Sequence, residues 1–376
     1  MFALAVTIPL AAPGPASSAK TLDGKAIFRF DTFGDEQFWT DTLRMHEVIQ
    51  SAVSPVAALG VGLKVDADVL PADFLTTHDL DDPATTVELI RLNAVLGVVG
   101  KVSDRKLKSV GITCALCHSS VDDSVAPGIG SRRDGWANVD LNPGAIIALS
   151  PALTSAQKQV YNSWGPGLYD PRFNVDGINL PVVIAPAYGL RDVVFETYTG
   201  DGPISYWNNY VAVTQMGGHG SFSDPRLGIE IIQRPDLVTP KLPALLQYQL
   251  SLTKPAPPPG SFDPQAAERG RLVFDGAGCG SCHIAPTYTD VNTGPDPSVP
   301  LLHDASETGM EPVYASRSAT GQYRTTPLRA LWQHAPYFHD GSAPTLEAVV
   351  GHYDQFFGLA LTEQQKADLV QFLKSL

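Results

Sequence analysis

After its first nineteen residues the chain has no apolar run of about 18 residues or more, so no transmembrane helix is expected. It also lacks a surplus of positive charge. Lys and Arg number 26 against 39 Asp and Glu, a net charge of −13 that repels nucleic acid and anionic lipid and leaves no basic stripe for a phosphate backbone. Cysteine is scarce as well, with four in 376 residues. No internal repeat is visible except the one that those cysteines form.

Cys114-Ala115-Leu116-Cys117-His118 and Cys279-Gly280-Ser281-Cys282-His283 are two copies of C-x-x-C-H, and together they consume every cysteine. This pattern attaches c-type haem. The two thiols add across the vinyl groups to form thioethers, and the adjacent histidine offers an imidazole nitrogen to the iron. A C-x-x-C pair can also hold zinc or act as a thioredoxin-like redox couple. A redox pair has no need of a trailing histidine twice, and a shared four-cysteine zinc site leaves both histidines without a role. Two covalently bound haem c groups are therefore the premise.

Hydrophobic residues at 44% and charged residues at 17% are ordinary globular composition, enough for a sizeable core, while 31 prolines and 33 glycines imply long ordered loops. Residues 1–19 are apolar and end in small residues, with Ser17-Ser18-Ala19 like a signal-peptidase site, although a basic start is missing. They are read as a signal segment, which with haem attachment points to a periplasmic or otherwise extracytoplasmic protein. Helical spacing covers Asp35–Val53, Ala84–Val99 and Lys241–Leu252, whereas residues 119–151, rich in Asp, Gly, Asn and Pro, are expected to wrap the first haem as loops. Residues 254–260 form a stiff Pro-rich stretch. Beyond it Asp263 caps and Pro264 opens a helix that carries Ala267, Gly270 and Phe274 on one face. Thr362 with Gln365 makes a capping box for a last helix with apolar Leu369, Val370, Phe372, Leu373 and Leu376. The expected fold is mostly α, with two cytochrome c-like domains: an enlarged one at 20–253 and a compact one at 263–376, joined by a linker at 254–262.

Residues 323–342, YRTTPLRALWQHAPYFHDGS, followed by Thr345-Leu-Glu-Ala-Val-Val350, resemble the bacterial di-haem cytochrome c peroxidase superfamily, which includes MauG and, more distantly, the rubber-cleaving di-haem oxygenases. The match is good over 265–376 and weak elsewhere. It implies an N-terminal haem where peroxide or dioxygen reacts and a C-terminal haem that relays electrons.

The sixth ligand decides what each iron can do. For the second haem, His339 is similar to the distal histidine of the rubber oxygenases. The peroxidases use a methionine fourteen residues later, where this chain has Tyr353, and MauG uses tyrosine at the matching place. Met310 and His352 are further candidates. For the first haem the chain departs from the peroxidases, since no histidine lies between His118 and His219. Met216 and His219 are the nearest candidates, the thioether as a ligand and the imidazole for proton handling. Glu196 is a candidate acid or base, and Arg324 and Arg329 are candidate partners of haem propionates. Asn142 matches in spacing an asparagine that binds an inter-domain calcium in the peroxidases, where the carbonyls of His334 and Pro336 would join it. Trp136 or Trp164 could stand between the haems. His46, His78 and His303 read as ordinary.

The resemblance implies an oxidoreductase, peroxidase-like, that draws electrons from a small donor protein of cytochrome c or cupredoxin type and passes them to a small oxidant, hydrogen peroxide first. The alternatives are a non-catalytic di-haem electron carrier and a haem-dependent oxygenase.

Overall fold

A computed structural model describes residues 22–376, so the signal reading of residues 1–19 lies outside the described residues. Of the described residues, 41% are helical and 12% strand. Every named strand falls between Val65 and Ile231, so the region before residue 254 is a mixture of short helices and two-stranded ladders, and the region after it is helical.

The first haem motif is entered from a hairpin rather than a helix. Strands Val98–Ser103 and Lys106–Ile112 pair antiparallel, closed by Asp104 and Arg105, which both take positive φ (52° and 59°). Ile112 is two residues from Cys114, and the short helix Ala115–His118 follows at once. Three of the expected elements are changed by this arrangement. The helix expected over 35–53 is a π-helical turn, Gln37–Thr42, and then a helix, Met45–Ala52, separated by Arg44 at φ 56°. The reason is tertiary: the Thr40 hydroxyl accepts from the Val110 N–H at 3.0 Å and donates to the Val110 carbonyl at 3.1 Å, which ties the turn to the hairpin. The helix expected over 84–99 is Pro83–Arg91; Asn93 at φ 55° ends it and the valines beyond go to the hairpin. The stretch 119–151 is not all loop. Ser119–Val121 pairs with Arg132–Asp134, and Pro143–Ala148 is helical.

The helical region follows its caps closely. Asp263 accepts from the N–H groups of Gln265 (2.8 Å) and Ala266 (3.2 Å), and opens the helix Pro264–Gly276. Thr362 and Gln365 form the reciprocal capping box of Glu363–Ser375. The two helices cross where Gly270 meets the backbone of Asp368. A Cβ at Gly270 would stand 2.0 Å from the Asp368 carbonyl oxygen. Phe274, Leu346, Val350, Leu369, Phe372 and Leu373 fill the core around that crossing. Residues 252–258 carry no helix or strand, yet apolar clusters draw from both sides of them: Val182 packs with Tyr314 and Tyr323, and Phe195 with Val291.

Gly270→Ala should therefore cost about 1–3 kcal/mol in denaturant unfolding, the usual penalty of overpacking. Gly276→Ala lies on the same helix with nothing within 4 Å and should leave stability level or slightly raised. Equal behaviour of the two variants would show that the close crossing is not a constraint.

Candidate functional site

The two haem motifs present their histidines alike. The His118 Nδ1 lies 3.0 Å from the Ala185 carbonyl oxygen, and the His283 Nδ1 lies 2.9 Å from that of Tyr288. A carbonyl can only accept, so each Nδ1 carries the proton and each Nε2 keeps its lone pair free for iron. Burial lowers the proton affinity of both imidazoles and so favours the neutral, ligating form. The cysteines form no disulfide. Burial pushes the Cys114 and Cys117 thiols up to about 12, whereas an activated redox cysteine is lowered.

The surroundings of the first motif are largely apolar. Cys114 packs in a cluster with Phe28, Tyr210 and Met216, and Cys117 in a second one with Leu116 and Tyr169. Met216 is buried, and its carbonyl accepts from the Trp39 indole N–H at 2.9 Å. Next to it in sequence, Gln215 accepts at 2.8 Å from the hydroxyl of Tyr169, a residue close enough to Cys117 to feel its charge. The His219 Cβ lies by Gly34, and its Nε2 is buried without a partner among the described residues.

At the second motif the sixth-ligand candidates have different surroundings. Tyr353, on the helix Leu346–Phe357, has its hydroxyl pushed up to about 12 by burial first and then by the nearby Cys282 and Cys279 thiols. His339 has other neighbours. Its ring stacks on Tyr314 (5.5 Å, 27°) and lies 4.8 Å from the Tyr323 ring. The Tyr323 hydroxyl donates to the Glu311 carbonyl at 2.5 Å, so at 3.1 Å it receives the proton of His339 Nε2. A cavity of about 330 Å3 opens beside this histidine, with Met310 and His352 on its wall. His352 donates from Nε2 to the Thr308 carbonyl at 2.8 Å.

The expected acid and the expected propionate partners are brought together in one cluster. Glu196 is buried and accepts from Arg324 at 2.8 Å and Arg329 at 3.4 Å. Two buried guanidinium groups share one carboxylate, and the Arg324 Nε has no partner at all. Such a surplus of buried positive charge fits a further anion, as a haem propionate would supply. Glu196 thereby anchors both ion pairs. Asn142 caps the helix Pro143–Ala148 by accepting from the Ala145 N–H at 2.9 Å, and the calcium reading gains nothing from that placement. Trp136 meets Trp332 edge to face at 5.7 Å, joining the regions of the two motifs, while Trp164 packs among Tyr161, Tyr169 and Phe173.

One histidine read as ordinary is not. His303 bridges Asp290 and Glu307, at 3.0 Å from each, which raises its proton affinity although burial opposes it. The Cys282 sulfur, an Asp290 oxygen and a His303 nitrogen lie within 4.8 Å of one another. Because Cys282 belongs to a haem motif, this grouping reads as a charged flank of the second centre. The His303-x-x-x-Glu307 spacing was the available signal. Nothing in the local pattern pointed to Tyr169 and Gln215.

Comparison with known proteins places the C-terminal third. Residues 321–354 match the family model described as RoxA-like, cytochrome c-like. The cytochrome-c peroxidase IdrP2 of Pseudomonas sp. strain SCT is 32% identical over 143 residues, covering 29% of this chain and 39% of the relative. The methylamine utilization protein MauG of Methylorubrum extorquens is 33% identical over 124 residues, 29% of this chain and 34% of the relative. The chain thus spans between a third and two fifths of the length of these relatives. Its C-terminal third is similar in sequence to these cytochrome-c peroxidase and MauG relatives. Hydrazine synthase of Kuenenia stuttgartiensis, a solved structure 19% identical to it, covers 57% of this chain and 78% of that chain with a TM-score of 0.38, too loose a likeness to argue from.

The arginine cluster makes a direct prediction. Glu196→Gln leaves two buried guanidinium groups without a carboxylate and should cost about 3–5 kcal/mol in chemical unfolding. A variant that loses turnover with stability intact would restore Glu196 as a free acid or base.

Proposed function

We propose that the chain is a di-haem c-type cytochrome oxidoreductase that works as a peroxidase: electrons enter at the His283 centre and reach hydrogen peroxide at the His118 centre. The observation that carries this reading is the unlike environment of two identical motifs. At the second, Tyr353 lies half-buried near the attachment cysteines, where its phenol would serve as a sixth ligand and suit an electron relay. At the first, no histidine follows the motif until His219, whose Cβ lies by Gly34. The haems supply the redox chemistry. The chain's own residues hold each imidazole in the ligating tautomer, shield the first centre with apolar side chains, and place the Trp136 and Trp332 pair across the two regions.

Two electrons and two protons convert one peroxide to two waters, so a one-electron donor must deliver twice. The net charge of −13 favours a basic small donor protein of cytochrome c or cupredoxin type, met in the periplasm or another extracytoplasmic space. Among the described residues no helix is long and apolar enough to cross a membrane. A second reading, a non-catalytic electron carrier, has one observation in its favour. Met216 is buried in the same apolar cluster as Cys114, where its thioether could close the first iron.

Peroxide-dependent oxidation of reduced horse-heart cytochrome c tests the activity. The intact protein should turn over, and Cys114→Ser/Cys117→Ser should abolish turnover while one haem per chain remains. Tyr353→Phe should convert one low-spin haem to high spin, and His339→Ala should not. No turnover with a panel of basic and acidic donor proteins would overturn the peroxidase reading.

A further inference from the structure

Asp35 is fully buried, at 0% exposure, and no step above uses it. Both of its oxygens accept from a single donor, the Ile112 N–H, each at 3.2 Å. Several aspartates with buried side chains have a paired cation: Asp170 has Arg317, Asp201 has Arg172, and Asp134 has Arg29 and Arg132, while Asp66 is unpaired but feels Arg132 and Arg29. The charges that act on Asp35 are those of Glu36 and Asp31, both of its own sign.

The pocket that holds it is specific to this backbone. A Cβ at Gly111 would lie 2.3 Å from the Asp35 Oδ1 and 2.8 Å from the Thr32 side chain, so the hairpin strand makes room for the carboxyl at that position. From Ile112 the chain runs in two residues to Cys114, whose thiol feels both Asp31 and Asp35. An unpaired buried carboxylate is costly, and the group avoids that cost by keeping its proton. Burial accordingly pushes Asp35 up to about 9.

We infer that Asp35 is the proton-holding residue of the first haem centre, taking up one proton from solvent when that centre gains one electron and releasing it when the electron leaves. The inference rests on the reading of Cys114–His118 as a haem centre. The physical ground is charge balance in a medium of low dielectric. An oxidised centre carries one more positive charge, which stabilises the carboxylate beside it, and a reduced centre does not. Other titratable groups face this position from several sides. Asp31 is held by Lys241 at 2.7 Å, Glu36 adjoins on the same turn, Cys114 becomes a thioether, and His219 packs on Gly34. Of these, Asp31 carries its own counter-ion and Cys114 loses its proton to the covalent link, which leaves Asp35 as the buried acid able to follow the electron.

The test is a spectroelectrochemical titration of the holoprotein from pH 6 to 10, with the first haem identified by its absence in Cys114→Ser/Cys117→Ser. Its potential should fall by up to about 59 mV for each tenfold drop in proton concentration, and Asp35→Asn, which keeps an oxygen for the Ile112 N–H, should flatten that slope while the second haem is unmoved. Redox-difference infrared spectra of protein carrying 13C-labelled aspartate should show the carboxyl stretch of one protonated aspartate changing with the first haem, whether or not the variant folds. A first-haem potential independent of pH, a slope that survives Asp35→Asn, or no aspartate band would overturn the inference. A haem count below two per chain would instead overturn the reading on which it rests.

Discussion

The hydrogen bond from an imidazole Nδ1–H to a backbone carbonyl is the constraint on which both centres depend. At His118 the acceptor is Ala185 and at His283 it is Tyr288, at 3.0 and 2.9 Å. Each bond sets the tautomer, aims Nε2 at the position the motif reserves for iron, and needs a carbonyl delivered by another part of the chain. For His283 that carbonyl is five residues away and comes with the local turn. For His118 it is 67 residues away, so the long excursion through residues 119–184 must fold before the first imidazole is oriented.

That difference in range runs through the molecule. The second centre is built on a crossing of two capped helices, with Gly270 admitting the Asp368 backbone and Tyr353 arriving on the helix between them. The first centre is assembled from a hairpin, a π-helical turn and apolar clusters that meet at Cys114 and Cys117. The regions are locked together by buried charge. Arg317 reaches Asp170 and Asp176, and Arg324 and Arg329 close on Glu196. Such pairs add little net stability but make any other arrangement expensive, because breaking one strands a charge away from water. A fixed geometry of this kind suits electron transfer between two centres.

The parts that were legible in sequence are those governed by neighbours within a turn. Asp263 with Pro264, and Thr362 with Gln365, are local devices, and the helices they predict stand where expected. The two C-x-x-C-H motifs are local as well. The helix expected over 84–99 failed because the valines after Leu92 fit either a helix or a strand on periodicity alone, and pairing with Lys106–Ile112 decided it. Arg44 in a left-handed conformation breaks another expected helix for the sake of the Thr40 bonds to Val110, a contact invisible to any window of sequence. The sixth-ligand candidates could be named but not ranked, since His339 and Tyr353 differ only in which distant side chains enclose them. Glu196 read as a candidate acid and Asp35 only as the first residue of an expected helix; burial with two cations and burial with none make them opposite.

The measurement that reaches furthest into this account is the electron paramagnetic resonance spectrum of the oxidised and half-reduced protein, before and after one equivalent of hydrogen peroxide. One high-spin ferric haem that vanishes at once on peroxide addition, beside one low-spin haem, is the predicted result. Two low-spin haems indifferent to peroxide in both redox states would contradict the account and leave an electron carrier closed at both irons.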